Sequence, residues 1–402
     1  MEQHITPGPL SGTLTAPPSK SQVHRAVIAA ALAEGTSRLS GVFFSQDISA
    51  TVSAMKSLGA KAVSDGDRLV ITGQRPCPPE GVTIDCGESG STLRFLIPLA
   101  LLSGKKVRFT GHGRLMERPL DPYFAICESC GISYEKTADA VSFCGTLRGG
   151  HFSLPGNISS QFITGLLFAL PLAEQDSTIE LTTEAESVGY IDMTLDILRA
   201  FGVSVQVSAD YKRYEIPGRQ TYCPQTMQME GDYSQAAFYL CANALGSHVT
   251  VLGLRPESSQ GDKAIMSLLE RFGSPLRGIT LDVSQIPDLV PIISVVATQA
   301  EGETKLVNGA RLRIKESDRL ATTKDMLSRF GACIRETEDG LIICGKTPLS
   351  GCAVDSHNDH RIAMAAAIAA TVAEGETTVL GAECVAKSYG NFWEDFKSLQ
   401  QK

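Results

Sequence analysis

The sequence predicts a mixed α/β (α+β) fold arranged as two similar domains, and three observations support this prediction. The chain has 402 residues, which is more than one hydrophobic core usually holds. A unit of roughly 70 residues, longer than a solenoid repeat, recurs six times. Each copy contains a polar opening, an apolar helix, a β-rich strand, a polar loop, a second helix and a strand. Three copies per domain is therefore the natural division.

Each unit opens with a short polar cluster in front of its apolar helix. In the first unit, Ser19 and Gln22 have the spacing of a capping box, which predicts a helix start directly after Pro17 and Pro18. Six openings mark the repeats: Ser19–Ser21, Glu88–Ser91, Ser159–Gln161, Asp232–Gln235, Ile286–Asp288 and Asn358–Arg361.

The helix ends are marked by glycine, which is favoured at the left-handed position after a helix. Three first helices run to an Ala-Glu-Gly tripeptide, at residues 33–35, 300–302 and 373–375. Second helices are predicted to stop before Gly59, Gly131, Gly202, Gly273 and Gly331.

A polar stretch that contains Pro217, Gly218 and Pro224 predicts the connector between the two domains. We expect one domain at residues 17–227. The other domain is expected to combine residues 1–16 with residues 228–402, since the N-terminal segment has little core of its own.

Composition restricts the class of partner and the compartment. The formal net charge of −8 disfavours nucleic acid and acidic membrane surfaces as partners. The first residues lack a charged segment followed by an apolar one, and no stretch reaches transmembrane length, so we expect a cytoplasmic protein. Eleven scattered cysteines indicate reduced thiols. Cys127 and Cys130 have Cys-x-x-Cys spacing, but they end an apolar helix and are interpreted as structural residues.

Several helix openings carry positive side chains. Lys20 and Arg25 lie near the start of the first helix with Ser21 between them, although cations are unfavourable at the positive end of a helix dipole. The mismatch is expected if an anion binds there. Gly90 and Arg94 repeat the arrangement in the second unit, and Arg361 does so in the sixth.

Further cations follow strands or begin helices at equivalent ends of the repeats: Arg118, Lys315, Arg319 and Lys387. We therefore expect the six openings to face one cleft that binds a ligand with several negative charges. Two acids stand among the cations. Asp288 is interpreted either as a functional carboxylate or as an ordinary helix-start acid, and Glu316 either as a functional carboxylate or as a surface ion-pair partner.

Motifs for other chemistries are missing from the sequence. It contains no nucleotide-binding glycine-rich motif and no His-Glu-x-x-His zinc motif. His360 could be a metal ligand, but beside Arg361 a role in polarising or protonating a bound anion is the stronger interpretation.

Eight motifs in order resemble the 5-enolpyruvylshikimate-3-phosphate synthase family: Pro18–Arg25, Gly90–Arg94, Glu117–Pro119, Ser159–Gln161, Tyr190–Asp192, Ile286–Asp288, Lys315–Arg319 and Asn358–Arg361. The resemblance implies two similar domains, each of three βαβαββ units, in the inside-out α/β barrel of the enolpyruvyl transferases. It also implies transfer of the enolpyruvyl group of phosphoenolpyruvate to the 5-hydroxyl of 3-phosphoshikimate, with release of phosphate, on the route to chorismate and aromatic amino acids.

The resemblance also implies which residues bind each substrate. The 3-phosphoshikimate site would be formed by Lys20, Ser21, Arg25, Ser159, Ser160, Gln161, Ser187, Asp288 and Lys315. The phosphoenolpyruvate site would be formed by Lys20, Gly90, Arg94, Arg118, Gln161, Arg319, Arg361 and Lys387.

The same resemblance implies catalytic roles. Asp288 would accept the proton of the attacking hydroxyl, and Glu316 would protonate the methylene carbon of phosphoenolpyruvate, giving a tetrahedral intermediate. Lys20 and His360 are rival candidates for individual proton transfers. No metal or organic cofactor is implied, and we expect a monomer.

Two other functions were weighed against this one. The sister enzyme that uses UDP-N-acetylglucosamine usually has a reactive cysteine before an Arg-Pro-x-Asp segment. Residues 104–121 contain that segment, starting at Arg118, but no cysteine. A non-catalytic binder of phosphorylated small molecules would have lost its acids, whereas Asp288 and Glu316 are both present. One departure from the family pattern is Glu88, where many members have asparagine.

Overall fold

The computed structural model describes residues 1–400, and the chain divides into two compact units. The central unit is Lys20–Glu230. The terminal unit combines Met1–Ser19 with the chain from Gly231 onward. The chain changes unit after Ser19 and after Glu230. The sequence predicted these boundaries after residues 16 and 227, three residues earlier in each case. Within residues 1–400, no helix is both long enough and apolar enough to span a membrane.

The chain starts with two strands and then enters the central unit. The strands are β1 (Glu2–Ile5) and β2 (Ser11–Thr15). The first repeat contains α1 (Lys20–Leu32), β3 (Gly35–Ser40), α2 (Gln46–Ser57), β4 (Lys61–Asp65) and β5 (Arg68–Gly73). The second contains β6 (Val82–Asp85), α3 (Gly90–Leu101), β7 (Val107–Thr110), α4 (Asp121–Cys130), β8 (Ser133–Lys136) and β9 (Ala140–Cys144). The third contains β10 (Gly150–Leu154), α5 (Ser160–Ala169), β11 (Ser177–Leu181), α6 (Val188–Ala200), β12 (Gln206–Val207) and β13 (Arg213–Ile216), and β14 (Thr226–Gln228) follows it.

Each repeat of the central unit forms one four-stranded sheet, in the orders β14-β3-β5-β4, β6-β7-β9-β8 and β10-β11-β13-β12. In the second and third sheets, the strand before the first helix pairs in parallel with the strand after it. In the first sheet this position is filled by β14, which pairs in parallel with β3. The polar stretch predicted as the connector therefore leads directly into a strand. The sequence did not indicate this strand, because β14 is only three residues long.

The terminal unit contains the last three repeats. Their elements are α7 (Tyr233–Ala244), β15 (His248–Leu252), α8 (Ile265–Phe272), β16 (Thr280–Asp282), α9 (Val290–Thr298), β17 (Gly302–Val307), α10 (Arg319–Arg329), β18 (Cys333–Glu336), β19 (Leu341–Gly345), β20 (Leu349–Ser350), β21 (Ala353–Asp355), α11 (His360–Thr371), β22 (Ala373–Glu374), β23 (Thr377–Leu380) and α12 (Phe392–Leu399). The fifth repeat forms the four-stranded sheet β16-β17-β19-β18. The N-terminal strands join the other two repeats, since β2 pairs in parallel with β15 and β1 pairs antiparallel with β23.

The first and second helices of the repeats differ in burial. All twelve residues of α11 and all nine residues of α9 are buried, as expected for helices that are apolar on every side. Only three of the eight residues of α8 are buried, so this second helix covers the outside. Each unit has its own hydrophobic core. The mixed α/β fold with a two-domain layout is confirmed, and it places the polar openings at the N-termini of the innermost helices.

The predicted glycine stops are confirmed for the second helices. Each helix is followed within two residues by a glycine with a positive φ, between +68° and +113°: Gly59, Gly131, Gly202, Gly273 and Gly331. The Cys-x-x-Cys pair lies at the end of α4, where Cys127 is buried and Cys130 is exposed.

Candidate active site

In the central unit, the helix openings are ordered by their own side chains. Ser89 caps α3 by accepting a hydrogen bond from the Thr92 amide at 3.1 Å. Ser159 caps α5 by accepting one from the Gln161 amide at 3.3 Å. Ser187 occupies the cap position of α6 with a φ of +56°, and its side chain is buried. These predicted site residues therefore lie at helix N-termini, where backbone amides favour anions.

Arg25 of α1 is a buried cation whose three hydrogen-bond acceptors are neutral. Its Nε donates to Thr194 Oγ1 at 2.9 Å, and its two terminal nitrogens donate to the backbone carbonyls of Tyr190 and Ser21 at 2.9 and 2.8 Å. The guanidinium also lies 5.3 Å from the centroid of the Phe95 ring. Burial lowers the pKa of Arg25 to about 10, which leaves it charged at neutral pH. A buried cation held by neutral groups is suited to bind an anion.

A second group joins the openings of α3 and α5. Arg94 donates to Gln161 Oε1 at 2.8 Å and to the Pro119 carbonyl at 3.0 Å, and Gln161 Nε2 donates to Ser91 Oγ at 3.1 Å. A Cβ atom on Gly90 would lie 2.8 Å from Arg118 Nη1. The Arg118 guanidinium therefore lies against the backbone of Gly90, and a side chain at position 90 would displace it.

Lys20 and Glu88 have neighbours that the sequence did not indicate. Lys20 Nζ lies 3.0 Å from Asp47 Oδ2, and both side chains are mostly buried. Asp47 is in the first turn of α2 and had been overlooked among the site residues. The Glu88 carboxylate lies against Gly113, since a Cβ atom there would be 2.8 Å from Glu88 Oε2.

In the terminal unit, three carboxylates surround Arg319, whose side chain is 1% exposed. Its Nε donates to Asp359 Oδ2 at 2.8 Å, Nη1 to Asp288 Oδ1 at 2.8 Å, and Nη2 to Glu316 Oε2 at 2.7 Å. Glu316 is therefore an ion-pair partner of Arg319 three residues ahead, rather than a surface neighbour of Lys315. We call Asp288, Lys315, Glu316, Arg319, Asp359 and Arg361 the acid–base cluster.

Asp288 is the most heavily paired acid of this cluster, and it lies in a single 3-10 turn, Pro287–Leu289, directly before α9. Arg361 donates to its Oδ2 at 2.9 Å, and Lys315 Nζ lies 3.5 Å from its Oδ1. Burial on its own would raise the pKa of Asp288, but Arg361, Lys315 and Arg319 outweigh burial and hold this pKa well below its usual range. Asp288 is therefore ionised throughout the neutral range.

Lys315 is affected in the opposite direction. Burial, the largest influence, lowers its pKa, and the positive charges of Arg311 and Arg319 add to that effect, although Asp288 opposes it. A lysine with a lowered pKa gives up its proton more readily than an exposed one.

The remaining predicted residues of the terminal unit lie around the start of α11. His360 is its first residue and is buried, and Asp359 caps the helix by accepting from the Arg361 amide at 2.9 Å. Lys387 Nζ donates to the Asn358 carbonyl at 2.7 Å. Asp359 was overlooked in the sequence, although its place before a helix start is itself the signal of a cap.

Within the part of the chain that the structure describes, His360 does not belong to a cluster that could bind a metal ion. Among residues 1–400, no three His, Cys, Asp or Glu side chains are grouped so as to hold a metal ion. Among the predicted residues, the structure brings together Gly90, Arg94, Arg118 and Gln161 in the central unit. In the terminal unit it brings together Asp288, Lys315, Glu316, Arg319 and Arg361.

Comparison with known proteins gives the same assignment along nearly the whole chain. Residues 5–396 match the family described as EPSP synthase (3-phosphoshikimate 1-carboxyvinyltransferase). The 3-phosphoshikimate 1-carboxyvinyltransferases of Clostridium perfringens and Clostridium acetobutylicum are each 48% identical to this chain. The alignments cover 98% of this chain and 97% and 96% of those proteins.

Solved structures agree in fold. The EPSP synthase of Acinetobacter baumannii has a TM-score of 0.82 at 27% identity, covering 99% of this chain and 98% of that one. The enolpyruvyl transferase NikO of Streptomyces tendae has a TM-score of 0.79 at 17% identity, covering 98% of this chain and 96% of that one, and supports the fold alone. The chain belongs to the EPSP synthase (3-phosphoshikimate 1-carboxyvinyltransferase) family.

Proposed function

We propose that the two groups of side chains divide the work of enolpyruvyl transfer from phosphoenolpyruvate to 3-phosphoshikimate. That transfer is the family activity, and the UDP-N-acetylglucosamine alternative is not favoured by the comparisons. This division of work rests on one observation: Asp288 is an ionised carboxylate in contact with Arg319, Arg361 and Lys315.

The central unit is proposed to bind the anionic groups. Arg25, with its neutral partners, would bind the phosphate of 3-phosphoshikimate together with Lys20, Ser21 and the openings of α5 and α6 at Ser159, Ser160, Gln161 and Ser187. Arg94 and Arg118 beside Gly90 would bind phosphoenolpyruvate, and the family resemblance assigns Arg319, Arg361 and Lys387 to the same substrate. Two like unit charges 4 Å apart repel each other by about 4 kcal/mol at an effective dielectric near 20. Several cations are therefore needed to offset the repulsion between two bound polyanions.

The acid–base cluster is proposed to move the protons. In its contacts with three cations, Asp288 is a weak base. A bound anion would partly neutralise the positive charges of Arg361 and Lys315. The pKa of Asp288 would then rise, which makes Asp288 a stronger base when the 5-hydroxyl is in place. Glu316 would deliver a proton to the methylene carbon of phosphoenolpyruvate. Lys20 and His360 remain the alternatives for individual transfers.

Two amide variants test these roles in an assay of phosphate release from phosphoenolpyruvate. The acceptor is 3-phosphoshikimate, and UDP-N-acetylglucosamine serves as the control acceptor. We expect Asp288→Asn and Glu316→Gln each to lose at least about 100-fold in kcat while 3-phosphoshikimate still binds. Glu336→Gln is the matched control, because Glu336 pairs with Arg313 outside the cluster. Full turnover in both cluster variants would exclude the assigned roles.

Solvent exchange separates the two acids. In deuterated water, protonation of the methylene carbon followed by reversal places deuterium in phosphoenolpyruvate. Glu316→Gln is expected to abolish this exchange. If the exchange survives in Glu316→Gln and is lost in a Lys20 or His360 variant, that residue is the proton donor.

We further propose that the protein is a cytoplasmic monomer without a metal or organic cofactor. All eleven cysteines are free thiols, as is usual in a reducing compartment. Sedimentation equilibrium in the presence of both substrates tests the oligomeric state, and dialysis against a chelator with retention of activity tests the cofactor statement.

A further inference from the structure

Two cysteines lie opposite each other in the sheet of the fifth repeat, and neither belongs to the groups described above. In the antiparallel pair β18 and β19, Cys333 is the direct partner of Cys344. Directly opposed residues project their side chains from the same face of a sheet. Both cysteines are exposed, whereas Ile343, one residue along and on the opposite face, is buried. The two thiols therefore share the solvent-facing side of the hairpin.

The backbone geometry suits a bond between the two sulfur atoms. Directly opposed Cα atoms in an antiparallel ladder are about 4.5 or 5.5 Å apart. A disulfide accommodates Cα separations of about 4.4–6.8 Å, so no strand has to move. The side chains already interact: desolvation, followed by the hydrogen bond between the two thiols, raises the pKa of Cys344.

We propose that Cys333 and Cys344 form a dithiol modification site, which a low-molecular-weight disulfide oxidises to a cross-strand disulfide. One cysteine thiolate attacks a sulfur of the reagent, the reagent's S–S bond breaks, and the released thiolate takes up a proton. The second cysteine then loses its proton and attacks the mixed disulfide at the protein sulfur. The S–S bond of the protein forms, and the second reagent thiol leaves. Two protein thiols are oxidised, and one reagent disulfide is reduced to two thiols.

A bound metal ion fits this pair less well than a disulfide. Structural zinc sites use four protein ligands. In the described part of the chain, residues 1–400, no cluster of three or more His, Cys, Asp or Glu side chains is placed to hold a metal ion. The two thiols of this pair are instead the number that one disulfide requires.

The second repeat supplies a matched internal control. In the equivalent hairpin of β8 and β9, Ser133 is the direct partner of Cys144, and Cys144 is exposed. This site has the same backbone arrangement but one hydroxyl in place of a thiol. Cys144 can form a mixed disulfide with the reagent, but Ser133 opposite it has no thiol with which to form a cross-strand disulfide.

Oxidised glutathione is the probe, applied in excess to the folded full-length protein. Remaining thiols are then alkylated, and the peptides are analysed by mass spectrometry without reduction. We expect peptides joined through Cys333 and Cys344, with neither cysteine carrying glutathione. In Cys333→Ser the bond is lost, and the glutathione adduct on Cys344 increases at least about tenfold over wild type, because the second thiol no longer displaces it.

Two further measurements make the outcome decisive. Ser133→Cys is expected to give the second repeat a new cross-strand bond to Cys144. Because the pKa of Cys344 is raised, closure should continue to accelerate as the pH rises above the usual range of thiol pKa values. The proposal is overturned if wild-type Cys333 and Cys344 carry separate glutathione adducts. It is also overturned if both cysteines are recovered in alkylated form, which is the result expected for an unreactive buried thiol such as Cys86.

Discussion

Asp359 connects the binding cations of the terminal unit to the start of α11. It is completely buried, and it accepts hydrogen bonds from Arg319 Nε at 2.8 Å and from Ser317 Oγ at 3.0 Å. The same carboxylate caps α11 through the Arg361 amide. Burial is the largest single influence and would raise the pKa of Asp359, but Arg319 and His360 together outweigh burial, so this pKa is lowered. The side chain is therefore a buried anion that holds the Arg319 guanidinium and the backbone amide of Arg361.

Removing that charge should destabilise the terminal unit strongly. Asp359→Asn keeps the shape of the cap but leaves the buried Arg319 with one fewer counter-charge, which we expect to cost about 3 kcal/mol in the free energy of unfolding. The single tryptophan, Trp393, is buried in α12 of the terminal unit, so its fluorescence in a urea titration reports on that unit.

Asp325→Asn is the matched control for this measurement. Asp325 pairs with Arg329 at the other end of α10, but both side chains are more than a third exposed, and such pairs contribute less than about 1 kcal/mol. Equal losses in the two variants would contradict the role given to Asp359.

The pKa of Asp262 is raised, whereas that of Asp359 is lowered, and this shift predicts a dependence of stability on pH. Burial, with Asp288 nearby, raises the pKa of Asp262 to about 6, above the value of about 3.9 in an unfolded chain. A raised carboxyl pKa gives a stabilising contribution that is fully present below about pH 3.9 and is lost as the pH rises through about 6. Asp262→Asn has no such titration. Its stability relative to wild type should therefore increase by about 2–3 kcal/mol between pH 4 and pH 7.

Trp393 fluorescence in urea titrations at several pH values checks this prediction. A difference between variant and wild type that stays constant from pH 4 to pH 7 would show that Asp262 does not titrate in this range.

At the scale of single residues, the proposed binding residues were easier to identify from the sequence than the residues that support them. Lys20, Arg25 and Arg94 were identifiable because cations at helix starts conflict with the helix dipole. Thr194 was not, because it lies 169 residues from its partner Arg25 and looks like any other threonine in a helix. Asp47 lies 27 residues from Lys20, and only the packing of α2 against α1 brings them together.

At the scale of elements, α1, α5 and α6 are joined by buried polar side chains. Thr194 of α6 accepts from Arg25 of α1, contacts Thr164 of α5 at 3.0 Å, and donates to the Tyr190 carbonyl at 2.9 Å. Helix α1 is therefore held against α6 through the proposed phosphate-binding arginine.

Thr194→Val keeps the volume of the side chain but removes the acceptor for Arg25 Nε. We expect the KM for 3-phosphoshikimate to rise about tenfold, corresponding to about 1.4 kcal/mol, with a smaller change in kcat. Steady-state kinetics measures the split between the two constants.

Thr323→Val in α10 is the paired control, because Thr323 is equally buried and its hydroxyl has no hydrogen-bond partner among residues 1–400. It should leave both kinetic constants unchanged. A fall in kcat without a change in KM for Thr194→Val would indicate that Arg25 does not bind the ground-state substrate.

The order of the elements was predictable because local signals repeat. Polar openings and glycine stops bounded the helices within a few residues, as at Gly131 and Gly202. Strand β14 was not predictable, because its place in the first sheet depends on pairing with β3, about 190 residues earlier in the chain. Local sequence marks where an element stops but not which distant strand it will pair with.

At the scale of the whole molecule, the two units differ in how the chain supplies them. Every strand and core residue of the central unit comes from one continuous segment, including β14, which completes its first sheet. The terminal unit requires two separate segments, since β1 and β2 pair with β23 and β15.

A fragment of residues 20–230 should therefore fold alone, whereas residues 231–402 should not. Circular dichroism during urea titration is expected to show cooperative unfolding for the first fragment and a weak, broad transition for the second. Adding a peptide of residues 1–19 to the second fragment should restore a cooperative transition, followed through Trp393. A cooperative transition of residues 231–402 without the peptide would show that β1 and β2 are dispensable.

The pairing of β1 with β23 has a consequence during protein synthesis. Strand β1 leaves the ribosome well before its partner Thr377–Leu380, so the two strands cannot meet until the segments between them have been synthesised. The central unit has emerged by then and can form its own core, in keeping with domains folding as units during synthesis. Strand β1 is thus ordered only after β23 has emerged, and until then it exposes unpaired backbone that a chaperone could shield.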